Sequence, residues 1–181
     1  MKLLLHVCCA PCSVSCIASL RDEGIEPALF WYNPNIHPFG EYKKRRDTLL
    51  SYAASRGLEV IIKDQYGLRT FLSAFSAEKG DPWSKETRCA YCYRTRLEAA
   101  ARAADENGFD AFSTTLLVSP YQNHALICKI AESQAVPFLY RDFRPRFREG
   151  QKTARETGLY MQKYCGCIFS EEEAATSKPG G

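Results

Sequence analysis

The 181-residue chain carries 24 Lys and Arg against 21 Asp and Glu, a formal net charge of +3, with 45% apolar residues. That length and apolar content suit one globular domain with a full core and exclude a disordered or fibrous chain. Nine cysteines are about 5% of the residues, too few for a disulfide scaffold.

Residues 2–7 form an apolar run that ends in a cysteine-rich turn, after which Ser13 to Leu20 shows helical spacing and stops before Gly24. A second apolar run at Pro27 to Tyr32 enters the turn Asn-Pro-Asn-Ile-His-Pro at 33–38, and Glu41 to Arg56 reads as an amphipathic helix ending at Gly57. Three further β-rich runs follow at Val60 to Ile62, Phe109 to Thr115 and Val136 to Tyr140, with helical stretches at 68–79, 91–107 and 121–134. Alternation of this kind predicts an α/β fold: a doubly wound, Rossmann-like, mostly parallel sheet of about five strands with helices on both faces. Residues 1–169 are expected to form a single domain and 170–181, rich in Glu and ending Lys-Pro-Gly-Gly, a frayed tail. The leucine run near the start is too short for a secretion signal, and no later stretch approaches a membrane span. A cytoplasmic protein with reduced thiols and no membrane partner is therefore expected.

Seven cysteines crowd into three places: Cys8, Cys9 and Cys12; Cys89 and Cys92; Cys165 and Cys167. Crowding of this sort belongs to metal or redox chemistry. The Cys89-Ala-Tyr-Cys92 spacing lets two thiolates reach one centre from a helix start, where the helix dipole and Arg88 favour their charged form. Adjacent Cys8 and Cys9 reach one small ion poorly but can serve two neighbouring centres, and Cys165 and Cys167, straddling a glycine, can divide in the same way. Four thiolates suit a 4Fe-4S cluster, and those left over, with Cys12 as a further ligand candidate, suit a single iron with an open position. Two other readings of the spacing remain: a zinc-stabilised RNA-binding module, and a thiol-disulfide oxidoreductase using Cys9 and Cys12. Cys16 and Cys128 read as buried thiols without a catalytic role.

The segments Leu4 to Ser13, Tyr32 to Pro38, Glu41-Tyr42 with Arg45, Arg88-Cys89-x-x-Cys92, Phe112 to Leu116 and Tyr164-Cys165-Gly166-Cys167, taken jointly and in order, resemble the QueH family of epoxyqueuosine reductases. The resemblance spans residues 4–167. It implies a cobalamin-independent enzyme that completes queuosine biosynthesis on tRNA with a 4Fe-4S cluster beside a mononuclear iron. By motif position the metal ligands would come from Cys8, Cys9, Cys89, Cys92, Cys165 and Cys167; at Cys12 some members carry Asp.

Reducing an epoxide to an alkene takes two electrons and two protons, and no Gly-x-Gly-x-x-Gly or Walker pattern offers a nucleotide cradle to supply them. An external donor of the ferredoxin or flavodoxin type is expected. Arg141 to Arg155 holds six basic residues against two acidic ones, interleaved with Phe143 and Phe147, a pattern suited to phosphate contacts with base stacking. Arg144 and Arg148 from this stretch, with Arg45, Arg88, Asn33, Asn35 and His37, are the substrate-binding candidates; shaping the proline turn is the competing role for the asparagines. Tyr121 and Cys12 are the catalytic candidates, and Tyr32 and Tyr91 are further stacking candidates, with core packing favoured for Tyr32.

Overall fold

The computed structural model describes residues 1–77 and 84–177. Four strands, β1 (Leu3–His6), β2 (Pro27–Trp31), β3 (Val60–Ile62) and β4 (Ala111–Thr114), form a parallel sheet in the order β3-β2-β1-β4. Strands β1, β2 and β4 are buried at every position. Apolar runs without alternation are what a parallel sheet covered on both faces requires. The covering helices are α1 (Ala10–Asp22), α2 (Phe39–Ser55), α3 (Leu68–Ala77), α4 (Lys85–Glu106), α5 (His124–Ala131), α6 (Phe147–Glu156) and α7 (Ile168–Thr176). Helix α1 packs with α2 and α6, whereas α4 lies against β1, β4 and α5. Gly150 sets how closely α6 approaches α1, since a Cβ there would stand 2.5 Å from the Ser15 hydroxyl oxygen.

The expected fifth strand does not extend the sheet. Residues 136–140 contribute only an isolated parallel bridge between Phe138 and Phe112, because Pro137 has no N–H to continue a ladder and offers only its carbonyl, which accepts from Phe112 N at 3.0 Å. Helix α4 starts at Lys85, six residues ahead of the expected 91. Residues 168–176 are helical where a frayed tail was expected from 170; residues 78 and 79 of the expected third helix and 178–181 of that tail lie outside the described residues. Among the described residues no helix is long and apolar enough to cross a membrane.

The chain runs β1-β2-β3 toward one edge and then returns to place β4 on the other side of β1. The crevice between β1 and β4 at their carboxyl ends is therefore the switch point of the sheet, where ligand sites of open α/β folds form. Cys8 and Cys9 follow β1 at this crevice and Thr115 follows β4.

Candidate metal centre

Helix α1 begins directly after the cysteine doublet, with Cys9 as its N-cap residue and Pro11 in its first turn. The Sγ atoms of Cys8, Cys9 and Cys12 all lie within 4.8 Å of one another, and Cys8 to Cys9 is 3.9 Å. Thr115 ties this turn to β4: its hydroxyl accepts the Cys8 backbone N–H at 3.3 Å and stands 3.5 Å from Cys8 Sγ. Hydrogen bonds from Cys12 and Cys9 hold the Cys8 thiol well below its usual range. Burial pushes Cys9 up, and hydrogen bonding to Cys8 does the same for Cys12. One proton is thus easily lost from the trio, and a cation is what would release the others.

The second group is built from α4 and a loop before α7. Cys89 and Cys92 stand on the second and third turns of α4, beyond the first turn where the helix dipole acts most strongly, and burial raises both thiols. Cys167 instead caps α7, with its sulfur 3.5 Å from the Ser170 hydroxyl. The Cys165-Gly166-Cys167 loop is pinned from α2 and the proline turn. Arg45 donates to the carbonyls of Cys165 at 2.7 Å and Tyr164 at 3.0 Å while pairing with Glu41 at 2.7 Å. His37 N donates to Gly166 O at 2.8 Å, His37 Nδ1 accepts from Ile168 N at 3.2 Å, and Tyr164 Oη donates to His37 O at 2.5 Å. Gly166, at φ 157°, leaves room for Ile36 and Arg45, which a Cβ would meet at 3.3 and 3.5 Å.

Two cavities adjoin here. The larger, about 370 Å³, is lined by Cys8, Cys12 and Cys165 with Gln151 and Gln162. The smaller, about 100 Å³, is lined by Cys89, Cys92, Cys165 and Cys167 with Asn35 and Arg88. Cys165, Arg96, Tyr121 and Gln122 border both. Among the described residues Cys8, Cys9 and Cys12 are the only three metal-ligating groups within 4.8 Å of one another. The four thiols of the smaller cavity therefore stand wider apart than around one tetrahedral zinc, where a Zn–S bond of about 2.3 Å sets sulfurs about 4 Å apart. A cavity of about 640 Å³ at the amino ends of the strands, between Lys2, Pro27 and Phe109, has no cysteine.

The family described as "Epoxyqueuosine reductase QueH" matches residues 3–173. The chain belongs to the QueH family. It is an oxidoreductase by that membership. An epoxyqueuosine reductase QueH from Dehalococcoides mccartyi is 35% identical over 176 residues, covering 95% of this chain and 93% of the relative. One from Thermotoga maritima is 36% identical over 192 residues, with 99% and 97% covered. Among solved structures, a predicted subunit of tRNA methyltransferase from Methanocaldococcus jannaschii aligns with a TM-score of 0.51 at 13% identity, over 84% of this chain and 76% of its own. That likeness shows the fold alone.

In this QueH family member the candidate residues part into those facing the cavities and those behind them. Asn35, Arg88 and Tyr121 border the smaller cavity, and Tyr121, 79% exposed, also borders the larger. Arg88 pairs with Glu173 at 2.5 Å. Three of the expected substrate contacts line neither cavity. Arg45 is 2% exposed with its donors committed to Glu41 and the cysteine loop, His37 is fully buried in the same clamp, and fully buried Asn33 donates to Val7 O at 2.9 Å. These side chains brace the cysteine loop and the proline turn. Tyr91 packs against Phe71 and Phe75, and Tyr32 is 8% exposed, as core packing requires.

The basic stretch is also rearranged. Phe143 is 1% exposed and belongs to the core, which removes it as a stacking surface. Arg141, Arg144 and Arg146 pair with Glu23, Asp142 and both Asp22 and Glu149. Arg148 is exposed with no ion pair among the described residues. Phe147 borders the larger cavity and meets Tyr121 at 6.4 Å, nearly perpendicular.

Sequence reading missed the groups that touch the sulfurs through hydrogen bonds. Gln162 Nε2 donates to Cys9 Sγ at 3.0 Å and to Cys12 Sγ at 3.6 Å. Gln122 Nε2 donates to Cys165 Sγ at 3.7 Å, its carbonyl held by Tyr93 Oη at 2.7 Å. Nothing in the spacing of these glutamines announces them. Arg96 was legible: it follows Cys92 by four residues and Arg88 by eight, so all three share one face once α4 is continuous.

Proposed function

We propose that the chain is an epoxyqueuosine reductase, deoxygenating the epoxide of epoxyqueuosine in the anticodon loop of tRNA to give queuosine. The observation that carries the reading is the gathering of seven thiols from three distant segments around two adjoining cavities, in a chain of the QueH family. The donor set fits iron: thiolate is the ligand of iron-sulfur clusters, and the sulfurs spread beyond the reach of one closed zinc. Cys89, Cys92 and Cys167, with a fourth thiolate from Cys9 or Cys165, would hold a 4Fe-4S cluster, leaving Cys8, Cys12 and the other of that pair for a mononuclear iron. When bound, these groups supply single electrons and a Lewis-acidic position.

The chain's own residues do the rest. Converting the epoxide to an alkene consumes two electrons and two protons and releases water, with electrons from an external carrier of the ferredoxin or flavodoxin type. The 370 Å³ cavity receives the modified ring, and the uncharged amides of Gln122, Gln151 and Gln162 offer it donors and acceptors without adding charge. Tyr121 and Phe147 at the rim give apolar faces to a base drawn out of the loop stack, a step made inexpensive by the single-stranded loop. Helix α6 begins with Phe147 and carries Arg148, Lys152 and Arg155 on exposed positions, so phosphate-binding charge adjoins the cavity mouth. Exposed Lys163 lines the same mouth.

The test is anaerobic purification followed by assay on tRNA carrying epoxyqueuosine, with mass spectrometry of the wobble nucleoside. Iron, acid-labile sulfide and loss of one oxygen are expected. A colourless protein with stoichiometric zinc and unaltered tRNA would favour the RNA-binding module instead.

A further inference from the structure

Arg96 is a buried cation with unused donors. The residue is 3% exposed, and its one hydrogen bond among the described residues runs from Nε to Cys92 O at 3.0 Å. Neither Nη atom has a partner among the described residues, and neither belongs to the solvent-excluded atoms that lack one. Arg96 lines both cavities, so these donors are at hand for a molecule held there. The other buried arginines differ: Arg45 has its donors committed to Glu41 and two carbonyls, and Arg88 faces Glu173.

A guanidinium taken out of water without a carboxylate is costly unless negative charge arrives from elsewhere. Part comes from the sulfurs, since Arg96 favours the thiolate forms of Cys8, Cys89 and Cys92. Neither Nη atom bonds a sulfur among the described residues, and the planar fork of Nη hydrogens matches the geometry of oxygen anions. The fork stands where both cavities meet, beside Cys165, Tyr121 and Gln122.

We propose that Arg96 is a catalytic oxyanion-binding residue of this cavity, whose Nη hydrogens receive the oxygen leaving the substrate's ring. The proposal rests on the reductase reading. In the balanced step both carbon–oxygen bonds break, two electrons enter from the external one-electron carrier, and two protons convert the oxygen to water as the ring carbons gain a double bond. Arg96 holds the developing alkoxide, and the protons come from other donors or water.

The experiment uses metal-loaded protein. Arg96→Gln should lower kcat by about 10² to 10³, as for loss of one oxyanion donor, with KM for tRNA within about twofold and iron content unchanged. Guanidinium ion added to Arg96→Ala should restore part of the rate, and Arg96→Lys, which keeps charge without the fork, should fall between. Wild-type kcat in Arg96→Gln at full metal load overturns the proposal, as does a rate loss that tracks metal loss and resists guanidinium. If Arg96→Gln takes up no metal, Arg96→Lys decides: a lowered kcat at full load supports the role and wild-type kcat refutes it. Formate titration, followed by nuclear magnetic resonance, separates this idea from the reductase reading. Formate binding that disappears in Arg96→Gln supports the anion site even if epoxyqueuosine is not turned over; binding that is absent from the wild type or indifferent to the substitution overturns it.

Discussion

Replacing Arg45 with Met removes the clamp on the Cys165-Gly166-Cys167 loop while keeping an unbranched side chain. Three contacts disappear together: the pair with Glu41, whose side chains are 1% and 8% exposed, and the bonds to Tyr164 O and Cys165 O. Breaking a buried ion pair by deleting one partner leaves an uncompensated charge, at about 3 to 5 kcal/mol. A carbonyl left dry adds about 1 to 3 kcal/mol, but Cys165 is exposed and water can reach its carbonyl once the arginine is gone. The expected loss is therefore about 3 to 5 kcal/mol, a large fraction of the roughly 5 to 15 kcal/mol by which domains are stable. Urea unfolding of the metal-free chain measures it. Arg45→Met/Glu41→Met should recover the part due to the stranded carboxylate, leaving a smaller loss from the loop, and Arg45→Met alone should also lower metal retention. A loss below about 1 kcal/mol would show that Glu41 and the two carbonyls find water readily, and the clamp would have no energetic basis.

Gln162→Glu should weaken metal retention more than Gln162→Met, because an ionised carboxylate offers no hydrogen to Cys9 and Cys12 and repels their thiolates; competitive chelator titration reads the order. Arg148→Gln should weaken binding of the anticodon stem-loop and reduce the slope of log affinity against log salt by about 1, whereas Arg144→Gln, already neutralised by Asp142, should change it less. Equal slopes in all three proteins would move the phosphate contacts elsewhere. Burial pushes the fully buried His37 down to about 4, so between about pH 6.5 and 4 the unfolded chain binds the extra proton and stability falls as pH falls. The contribution of His37 to that fall is at most about 3 kcal/mol, and urea midpoints of His37→Asn should show a flatter profile across the window; His6, also lowered to about 4 by burial, acts in the same direction.

What could be read from sequence was what local chemistry determines. The apolar runs at β1, β2 and β4 needed no tertiary information, because strands covered on both faces declare themselves by unbroken burial. The run at 136–140 misled because β-branched and aromatic content says nothing of the donor missing at Pro137. Cys8, Cys9 and Cys12 stand four residues apart at most, so their clustering was visible, although the doublet was expected to divide between two centres and its sulfurs instead lie 3.9 Å apart. The pairing of the remaining thiols into one cavity depends on Arg45 and His37 reaching across some 120 to 130 residues. Both were expected at the substrate, and their contacts here run to the scaffold; a motif marks a position without telling which way its side chain faces.

The thiol-bearing segments lie about 80 residues apart along the chain, near 10, 90 and 166. Whatever grips all three at once closes two long loops, and loop-closure entropy grows only slowly with length, so wide spacing is a mild handicap when folding and a strong fastener afterwards. Loading should then be felt far from the sulfurs, as slower amide exchange in α2 and α6, neither of which carries a cysteine.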